Sequence, residues 1–449
     1  MLTVVQKEFY IAFLVGVIIS LSPFNAIAYF APFILLIWMA LFTNSRVIIR
    51  NIVLFLFAVF YLLVLYVWVN NKLVIGNSLL SILTYGAFIP ICVIPSKYLN
   101  SESLIIKIFR ILFIVLFIES ILGLIQAFYG FSITQSFGFS NGDFVEGSIH
   151  PQLPSERSMS NPIFAIILST LLIFLFPYKK IFKYSSWSLS LGVVVFILAS
   201  VNHLILFLIL SAFISFIIIR PSFFSNNNVA LKFILGTVSI TISGLIIKLL
   251  LITNLSNVGS IFQSLLINEY PKTQILYTYY NSTKNNIYPF TGIGPGQFIS
   301  RASFMASGEY FGGRDANKKT IPLTQQSPFF EKYVYKKWKK SLSMDIGSSS
   351  STQIHSSWGA FLTEFGLLLW IILIIYLIHI IRNVKNMAKS KHDRFLAFSL
   401  STFIIYLFLM GIQQNYWEVS QAIFIGLIIS KLIYSKLKYQ YKIPYESIY

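Results

Sequence analysis

Apolar runs long enough to cross a membrane dominate this sequence. A spanning helix needs roughly 20 predominantly apolar residues, and runs of that kind recur between short polar or charged connections. We predict about twelve spans, at 9–24, 29–43, 51–69, 74–95, 108–129, 161–178, 185–200, 203–219, 231–252, 357–381, 395–412 and 417–434. The run from 185 to 219 is broken only by Ser200, Val201, Asn202 and His203, which indicates two short crossings joined by a tight turn.

Composition supports this class and excludes others. Only 11% of the residues are charged, against about 25% in ordinary soluble domains. The single Cys92 excludes an internal disulfide, and a hydrophobic content of 56% is too high for a disordered chain. We therefore predict an all-α polytopic protein in a lipid bilayer. The net charge of +19 would suggest nucleic acid in a soluble protein, but here it is divided between two membrane faces, and we expect no nucleic-acid partner.

The basic residues of short connections predict the orientation. Connections rich in Lys and Arg stay in the cytoplasm, and one alternate set carries nearly all of them: Arg46, Arg50, Lys97, Lys107, Arg110, Lys179, Lys180, Lys183, Arg220, Lys232, Arg382, Lys385, Lys389, Lys391 and Arg394. The short connections on the opposite side carry only Lys72. With an even number of spans, both termini are predicted to be cytoplasmic.

This topology divides the chain into six parts. We predict spans one to five in 1–129, an outer loop at 130–160, spans six to nine in 161–252, a large outer loop at 253–356, spans ten to twelve in 357–434 and a cytoplasmic tail at 435–449. Loops longer than about 15 residues are usually functional or disordered. Many Tyr and Phe residues indicate that the large loop is mostly ordered.

Three closely spaced glycines, Gly292, Gly294 and Gly296, lie in the large loop, and Arg301 and Arg314 follow them. We reject a nucleotide-phosphate loop, because no parallel strand precedes the glycines and the loop faces away from cytoplasmic nucleotides. A tight turn back to the membrane and a direct ligand role stay equally open. An arginine just after such a turn is well placed to bind a phosphate through two parallel hydrogen bonds.

A second candidate site is the pair His355 and Ser356, immediately before the tenth span, with Glu364 inside that span. Two interpretations are open for His355: an interfacial anchor beside Trp358, or a neutral imidazole that accepts a hydroxyl proton. Glu364 follows nine residues later, on roughly the opposite helix face, so a direct bond between the two is doubtful.

Other ionisable residues have structural explanations that we favour. Glu119 in the fifth span could close an interhelical hydrogen bond, Lys248 could extend to the membrane surface, and His203 lies at the turn between the seventh and eighth spans. Five lysines, Lys332, Lys336, Lys337, Lys339 and Lys340, are spaced as on one face of a helix. We interpret this basic face as solvated surface rather than as a site.

The motif from Gly292 to Phe298, the His355-Ser356 pair followed by Gly366, and the Asn161-Pro162 start of the sixth span resemble the O-antigen polymerase and O-antigen ligase superfamily (Wzy-like polymerases). The architectural resemblance covers nearly the whole chain, whereas the motif resemblance covers about 291–370. It implies a GT-C-like fold in the bacterial inner membrane. It also implies a metal-independent glycosyltransferase without a cofactor, acting on an undecaprenyl-diphosphate-linked oligosaccharide, with a chain-length regulator as a partner.

The resemblance also implies residue roles. By position, Arg301 matches the family's diphosphate-binding arginine and His355 its acceptor-side histidine. The family often has Ser-Arg-Gly at the turn where this chain has Val201, Asn202 and His203, so the second arginine would have to be Arg157 or Arg314. The resulting substrate-binding set is Arg157, Arg314, Gly292, Gly294, Gly296, Ser356, His203 and Glu364.

Two alternatives stay open beside a polymerase. A ligase would transfer the glycan to lipid A core, and we favour it less because Leu369 replaces the second glycine of the ligase-type motif. A flippase for lipid-linked oligosaccharides would also have about twelve spans. The clustering of charges in outer loops, without an inverted repeat between the halves, argues against this transporter.

Overall fold

In the computed structural model, the described residues are 2–43, 45–135, 144–150, 161–179, 184–220, 270–308, 321–342 and 354–442. These residues form helices and no strands. The first part comprises α1 (Val4–Ser20), α2 (Asn25–Ala28), α3 (Ala31–Phe42), α4 (Arg46–Val69), α5 (Ile75–Thr84), α6 (Ile89–Val93) and α7 (Glu102–Thr134). Short 3₁₀ turns lie at Gly86–Phe88, Ser96–Tyr98 and Gly147–Ile149.

The second part begins with α8 (Asn161–Leu175), which a 3₁₀ turn at Phe176–Tyr178 extends, and continues with α9 (Ser185–Leu198) and α10 (Asn202–Ile219). The third part comprises α11 (Pro271–Thr283), α12 (Tyr288–Thr291), α13 (Arg301–Ala306), a π-helix at Phe330–Tyr335, α14 (Lys336–Leu342), α15 (Ser357–Met387), α16 (Lys391–Gln413), a 3₁₀ turn at Tyr416–Glu418 and α17 (Ser420–Lys442).

Seven helices in the described part of the chain are long and apolar enough to cross a membrane: α4, α7, α8 with its 3₁₀ turn, α10, α15, α16 and α17. The pair α5 and α6, bent by 54°, adds an eighth if it counts as one span. The prediction of an all-α polytopic membrane protein is thus confirmed. The predicted count of twelve is not confirmed.

The described residues have fewer spans than the twelve predicted for two reasons. Three predicted spans form helices of only 17, 12 and 14 residues, namely α1, α3 and α9. Proline explains one boundary, because Pro23 cannot continue α1 and apolar residues of the following turn had been counted as helix. The predicted ninth span, 231–252, and Lys248 within it lie outside the described residues. The predicted break before His203 is confirmed, since α9 ends at Leu198 and α10 begins at Asn202.

Burial separates central from peripheral helices. In α17, 83% of the span is buried inside the protein and in α8 72%, so these two form the centre of the bundle. The corresponding value is 17% for α15 and 6% for α4, whose side chains therefore face outward over most of their length. In a bilayer such helices contact lipid, which suits their apolar surfaces.

The described parts of the large loop fold around a core of their own. This core comprises Ile275, Tyr279, Ile293, Phe298, Ile299, Phe304, Phe330, Val334, Trp338, Ile354 and Ala360. Five aromatic residues of the loop belong to this core: Tyr279, Phe298, Phe304, Phe330 and Trp338. The five lysines Lys332, Lys336, Lys337, Lys339 and Lys340 are exposed, whereas Phe330, Val334 and Trp338 of the same helical stretch point into the core.

Candidate functional site

A break in α15 receives the glycine segment, which we define as residues 292–300. Gly366 within α15 has φ 81° and ψ 169°, a conformation that essentially only glycine adopts. The break leaves two carbonyls without helical partners: Thr363 O accepts the N–H of Ile293 at 3.1 Å, and Glu364 O accepts that of Gly294 at 3.0 Å. The glycine segment is thereby hydrogen-bonded to the backbone of a membrane helix.

The Glu364 carboxylate organises the rest of the glycine segment. It accepts the backbone N–H groups of Gly296 at 2.5 Å, Phe298 at 2.8 Å and Ser300 at 3.0 Å. The Ser303 hydroxyl donates to it at 3.1 Å. Glu364 is fully buried. A buried carboxylate with four donors is strongly held, because each bond to a charged acceptor is worth more than a neutral one.

The glycines are required by close approach. A Cβ atom would lie 2.2 Å from Glu364 O at Gly292, 2.2 Å from a Leu73 methyl group at Gly294 and 2.3 Å from Asn77 O at Gly296. All three glycines have positive φ. Of the two interpretations left open for them, this geometry favours the tight turn.

The predicted substrate-binding role of Gly292, Gly294, Gly296 and Glu364 is therefore not what their geometry favours. The glycine N–H groups donate to Tyr288 O, Glu364 O and the Glu364 carboxylate, and are not turned toward a ligand. These four residues shape the scaffold on which Arg301 is mounted.

Three segments meet at what we call the junction: the end of the glycine segment with Arg301, the histidine segment at residues 354–357, and the α16–α17 connection at residues 414–419. Asn415 Nδ2 donates to Ile299 O at 2.9 Å. Ser357 N donates to Gln414 O at 3.2 Å. Ser356 Oγ caps α15, accepting Gly359 N–H, and donates to Gly411 O at 3.0 Å. The α16–α17 connection thus links both predicted motifs.

Arg301 is the first residue of α13, at the junction. Its backbone N–H donates to Glu418 Oε2 at 2.7 Å, and its guanidinium carbon lies 5.9 Å from the ring centre of Tyr29. The side chain is half-buried. A guanidinium over an aromatic face keeps its planar set of donors while its orientation is restricted.

His355 lies in an aromatic and cationic environment. It is only 7% exposed, and its ring stands edge-on to Phe304 with 4.1 Å between ring centres. Burial, followed by the charges of Lys272 and Arg301, lowers the pKa of His355 to about 3. The imidazole is therefore neutral at physiological pH. It can exchange hydrogen bonds, but it has little tendency to keep a proton while both cations are present.

Lys272 is a buried cation that the sequence analysis did not identify. It is 5% exposed, and its ammonium donates to His355 O at 2.6 Å and to Gln413 O. Burial lowers the pKa of Lys272 to about 7. The ammonium thus holds the histidine segment against the end of α16 and adds positive charge beside His355.

Glu418 is the acidic residue of the junction and was also missed. It is fully buried, and its carboxylate accepts the Arg301 N–H and the Thr84 hydroxyl, the latter at 3.4 Å. Burial raises the pKa of Glu418, as does the nearby Glu364, while Arg301 acts in the opposite direction. Glu418 thus links Arg301, at the start of α13, to Thr84, at the end of α5.

His203 reaches the junction through Tyr416. Its Nε2 lies 3.1 Å from the hydroxyl of Tyr416, and the two rings are nearly parallel. The structure therefore brings Arg301, His355, Ser356 and His203 to one region. Arg157 and Arg314, the candidates for a second phosphate-binding arginine, lie outside the described residues.

The two residues that the sequence analysis missed, Glu418 and Lys272, differ in how clearly the sequence indicates them. Glu418 falls inside the apolar run predicted as the last span, and ionisable residues in spans are functional candidates by default, so the rule applied to Glu119 would have found it. Lys272 follows Pro271 in the polar loop, where one lysine among many gives no signal. Its burial arises only when the loop packs on α15 and α16.

Chemically, the junction suits an anion. The cations Arg301 and Lys272 act on the neutral His355 from nearby, and the carboxylate next to Arg301, that of Glu418, is buried and accepts the Arg301 N–H. No group of three or more His, Cys, Asp or Glu residues that could hold a metal ion occurs among the described residues.

Comparison with protein-family models, with curated proteins and with solved structures finds no match to this chain.

Proposed function

We propose that this protein polymerises a bacterial surface polysaccharide, an O-antigen or a capsule. In this proposal it transfers the growing glycan from undecaprenyl diphosphate to the next lipid-linked repeat unit, on the outer face of the cytoplasmic membrane. The proposal combines the sequence resemblance with the junction. It needs no metal ion, because guanidinium and ammonium groups supply the positive charge.

The observation that carries the proposal is the convergence of Arg301, Lys272 and His355 where the loop domain meets the ends of α15 and α16. Two of these residues come from the loop and one from the segment that enters a membrane helix. A lipid-linked diphosphate would lie at such a level, with its headgroup at the helix ends and its chain among the apolar helices.

The chemistry assigns one role to Arg301 and another to His355. When the bond between the sugar C1 and the phosphate oxygen breaks, negative charge develops on the leaving diphosphate, and Arg301 stabilises it. His355, which stays neutral beside two cations, accepts a hydrogen bond from the acceptor sugar and orients it. The burial of His355 between two cations favours this orienting role over that of a proton acceptor.

The experiment that tests the proposal is deletion of the gene, followed by electrophoresis of the surface polysaccharide. A polymerase deletion should remove the ladder and leave a single repeat on the lipid core. Loss of every repeat, with polymer accumulating on the carrier lipid, would instead identify the ligase. Accumulation of unpolymerised repeats on the cytoplasmic side would identify the flippase.

Substitution of Arg301 tests the site within that function. Arg301→Lys keeps the charge but loses the planar pair of donors, so long polymer should be reduced nearly as much as in Arg301→Ala. The control is Arg382→Lys, near the opposite end of α15, which should leave the ladder unchanged. A normal ladder in Arg301→Lys, at equal abundance in the membrane, would contradict a diphosphate-binding role.

A further inference from the structure

A tight turn at residues 321–324 of the large loop presents a leucine where such turns usually have glycine or asparagine. The Thr324 N–H donates to Ile321 O at 3.2 Å, and Pro322 and Leu323 occupy the two central positions. Leu323 has φ 67°, as the third residue of a type II turn requires. This conformation is sterically disfavoured for a side chain with a Cβ atom, so the backbone is strained at Leu323.

The strained side chain points away from the protein. Leu323 is 86% exposed. Ile321, two residues earlier in the same turn, packs against Leu80, Ala302 and Met305. Backbone strain persists where packing or function requires it, and packing inside the protein does not account for so exposed a side chain. The turn therefore indicates a partner outside this chain.

The turn is fixed to the first turn of α5. Asn77 Nδ2 donates to Gln325 O at 2.8 Å, and the Gln325 N–H donates to Asn77 Oδ1 at 3.2 Å. A Cβ atom at Gly76 would lie 1.7 Å from Leu323 O, so the backbone of the turn lies directly on the helix. These contacts hold Leu323 at a defined place beside α5.

The helix α5 has its polar side turned into the protein and its apolar side turned outward. Four polar residues of this helix are buried: Asn77, Ser78, Ser81 and Thr84. Ile75 and Leu79, one turn apart, are 53% and 48% exposed. Polar groups inside and apolar groups outside are the arrangement of a helix that contacts lipid.

An open groove of about 510 Å³ lies between the turn and α5. Its aliphatic wall comprises Leu73, Val74, Ile75, Leu79 and Leu323. None of the described residues that line the groove is charged. A lining of this kind fits a hydrocarbon chain, because a charged or strongly polar ligand would lose its hydration there without gaining partners.

The end of α4 places this groove at the surface of the bilayer. Trp68, in the last turn of α4, is 84% exposed, and Lys72 is exposed four residues later. Trp and Lys residues anchor spanning helices at the membrane–water interface, and only 6% of the α4 span is buried in the protein. The groove begins at Leu73, directly beyond these anchors, and so continues the lipid-facing surface of α4.

We propose that the turn at 321–324 and the exposed face of α5 are inserted into the leaflet that the Trp68 end of α4 reaches. A phospholipid acyl chain occupies the groove, and the Leu323 side chain lies among the neighbouring chains. This inference goes beyond the proposed function and does not depend on it. The turn anchors the loop beside the glycine segment, because Val74 exchanges two hydrogen bonds of 3.1 Å with the Gln297 side chain.

Fluorescence quenching in phosphatidylcholine nanodiscs tests the insertion. The full-length protein carries Cys92→Ser, so that a single introduced cysteine bears a bimane label, at Leu323→Cys, Leu56→Cys or Lys336→Cys. Leu56, 59% exposed within α4, is the lipid control, and the exposed Lys336 of α14 is the aqueous control. A nitroxide on the lipid acyl chain should quench the label at Leu323→Cys as strongly as at Leu56→Cys. Iodide in the buffer should quench the label at Lys336→Cys alone.

A second probe tests the native leucine side chain. The label is placed at Gln325→Cys, an exposed position two residues later. Leu323→Gly suits a φ of 67° and keeps the turn, but it removes the inserted side chain. Nitroxide quenching at Gln325→Cys should therefore fall toward the level at Lys336→Cys, while the unfolding temperature of the variant does not fall. Leu323→Met keeps an apolar side chain and should keep the original quenching.

Three outcomes would overturn the inference. Quenching at Leu323→Cys by iodide, without quenching by the nitroxide lipid, would place the turn in water. Protection from both quenchers would show that protein, such as a second copy of this chain, covers the groove. Unchanged quenching at Gln325→Cys in Leu323→Gly would show that the leucine does not hold the turn in the bilayer. None of these results changes the polysaccharide ladder that tests the proposed function.

Discussion

At the scale of single residues, the two buried glutamates Glu364 and Glu418 have different structural roles. Glu364 accepts four hydrogen bonds and holds a loop to a membrane helix. Glu418 accepts the N–H of Arg301 and thereby positions the start of α13. The difference lies in the partners, which sequence spacing does not reveal.

Removal of Glu364 should destabilise the protein strongly. Glu364→Ala leaves the amides of Gly296, Phe298 and Ser300 buried without partners, at a cost of about 1–3 kcal/mol for each. The thermal unfolding temperature in detergent should therefore fall by many degrees, whereas Glu331→Ala, at an exposed position of the π-helix, should leave it unchanged. Equal unfolding temperatures for the two variants would show that the glycine segment does not depend on this carboxylate.

The buried imidazole of His355 should make the protein sensitive to acid. Its folded pKa of about 3 lies below the ordinary value of 6.5, so the unfolded chain binds the proton first. The contribution of the buried, neutral imidazole to folding stability is fully present above pH 6.5 and is lost as the pH falls toward 3. Denaturant titrations should show a weaker loss of stability over this range in His355→Gln than in the wild type. Parallel curves would argue against the buried state of His355.

Two substitutions at His355 separate the roles proposed for its side chain. His355→Ala should abolish long polymer, whereas His355→Gln, which keeps hydrogen bonding without proton transfer, should stay partly active if orientation is the role. The readout is the polysaccharide ladder at equal protein abundance. An inactive Gln variant would implicate proton transfer by His355 itself.

Part of the candidate site could be predicted from sequence, for a physical reason. Arg301 follows a glycine turn and His355 precedes an apolar helix. Both lie where the local residue pattern changes, and such changes can be read from the sequence alone. Lys272 becomes important because of burial among segments that are distant in the chain. Its two acceptors belong to residues 83 and 141 positions away, and no local pattern encodes that.

At the scale of elements, the break in α15 is the feature that the sequence concealed. Residues 357–381 form one apolar run, and hydropathy does not register a change of backbone direction at Gly366. The break matters because it exposes the carbonyls to which the glycine segment binds. A helix that is interrupted inside a membrane protein is tolerated only when other groups satisfy the freed backbone, and the loop does so here.

Substitution of Gly366 should therefore affect the loop rather than α15 alone. A Cβ atom there would lie 2.3 Å from Phe290 O and 2.4 Å from Gly292 N, in a conformation that alanine rarely adopts. Gly366→Ala should expose the loop domain to limited proteolysis. At the control position Gly192, inside α9, a Cβ atom would meet side-chain atoms of two leucines, Leu116 at 2.9 Å and Leu172 at 3.2 Å, and no backbone, so Gly192→Ala should be resistant. Identical digestion of both variants would contradict the coupling of loop and break.

At the scale of the whole molecule, the topology is the prediction with the widest consequences. The alternation of basic connections predicts that the junction faces outward. A reporter active only outside the cytoplasm should work when fused after Gly142 or Ser307 and fail after Lys183 or Lys389. Activity at Lys389 would reverse the C-terminal half and place the junction in the cytoplasm, where a lipid-linked polymer could not be exported from it.

The class of the molecule was predictable because hydrophobic length is a strong signal, but the number of spans was not. Apolar composition counts turn residues such as Phe24 together with helical ones. It therefore merged α1 with its following turn, and it could not tell that α3 and α9 are shorter than a membrane crossing.

The outward-facing α4 makes the bilayer itself part of the loop's support. At 24 residues it is about 36 Å long, against a hydrocarbon thickness of about 30 Å, so it is long enough to cross the bilayer at a tilt. Its upper end is tied to the glycine segment, because Tyr66 donates to Thr291 O and Asn70, the residue that ends α4, donates to Ile293 O. A change in membrane thickness alters the tilt of this helix and therefore pulls on the scaffold that holds Arg301. We therefore expect lipid chain length to act on the junction from a distance, without any ligand binding to it.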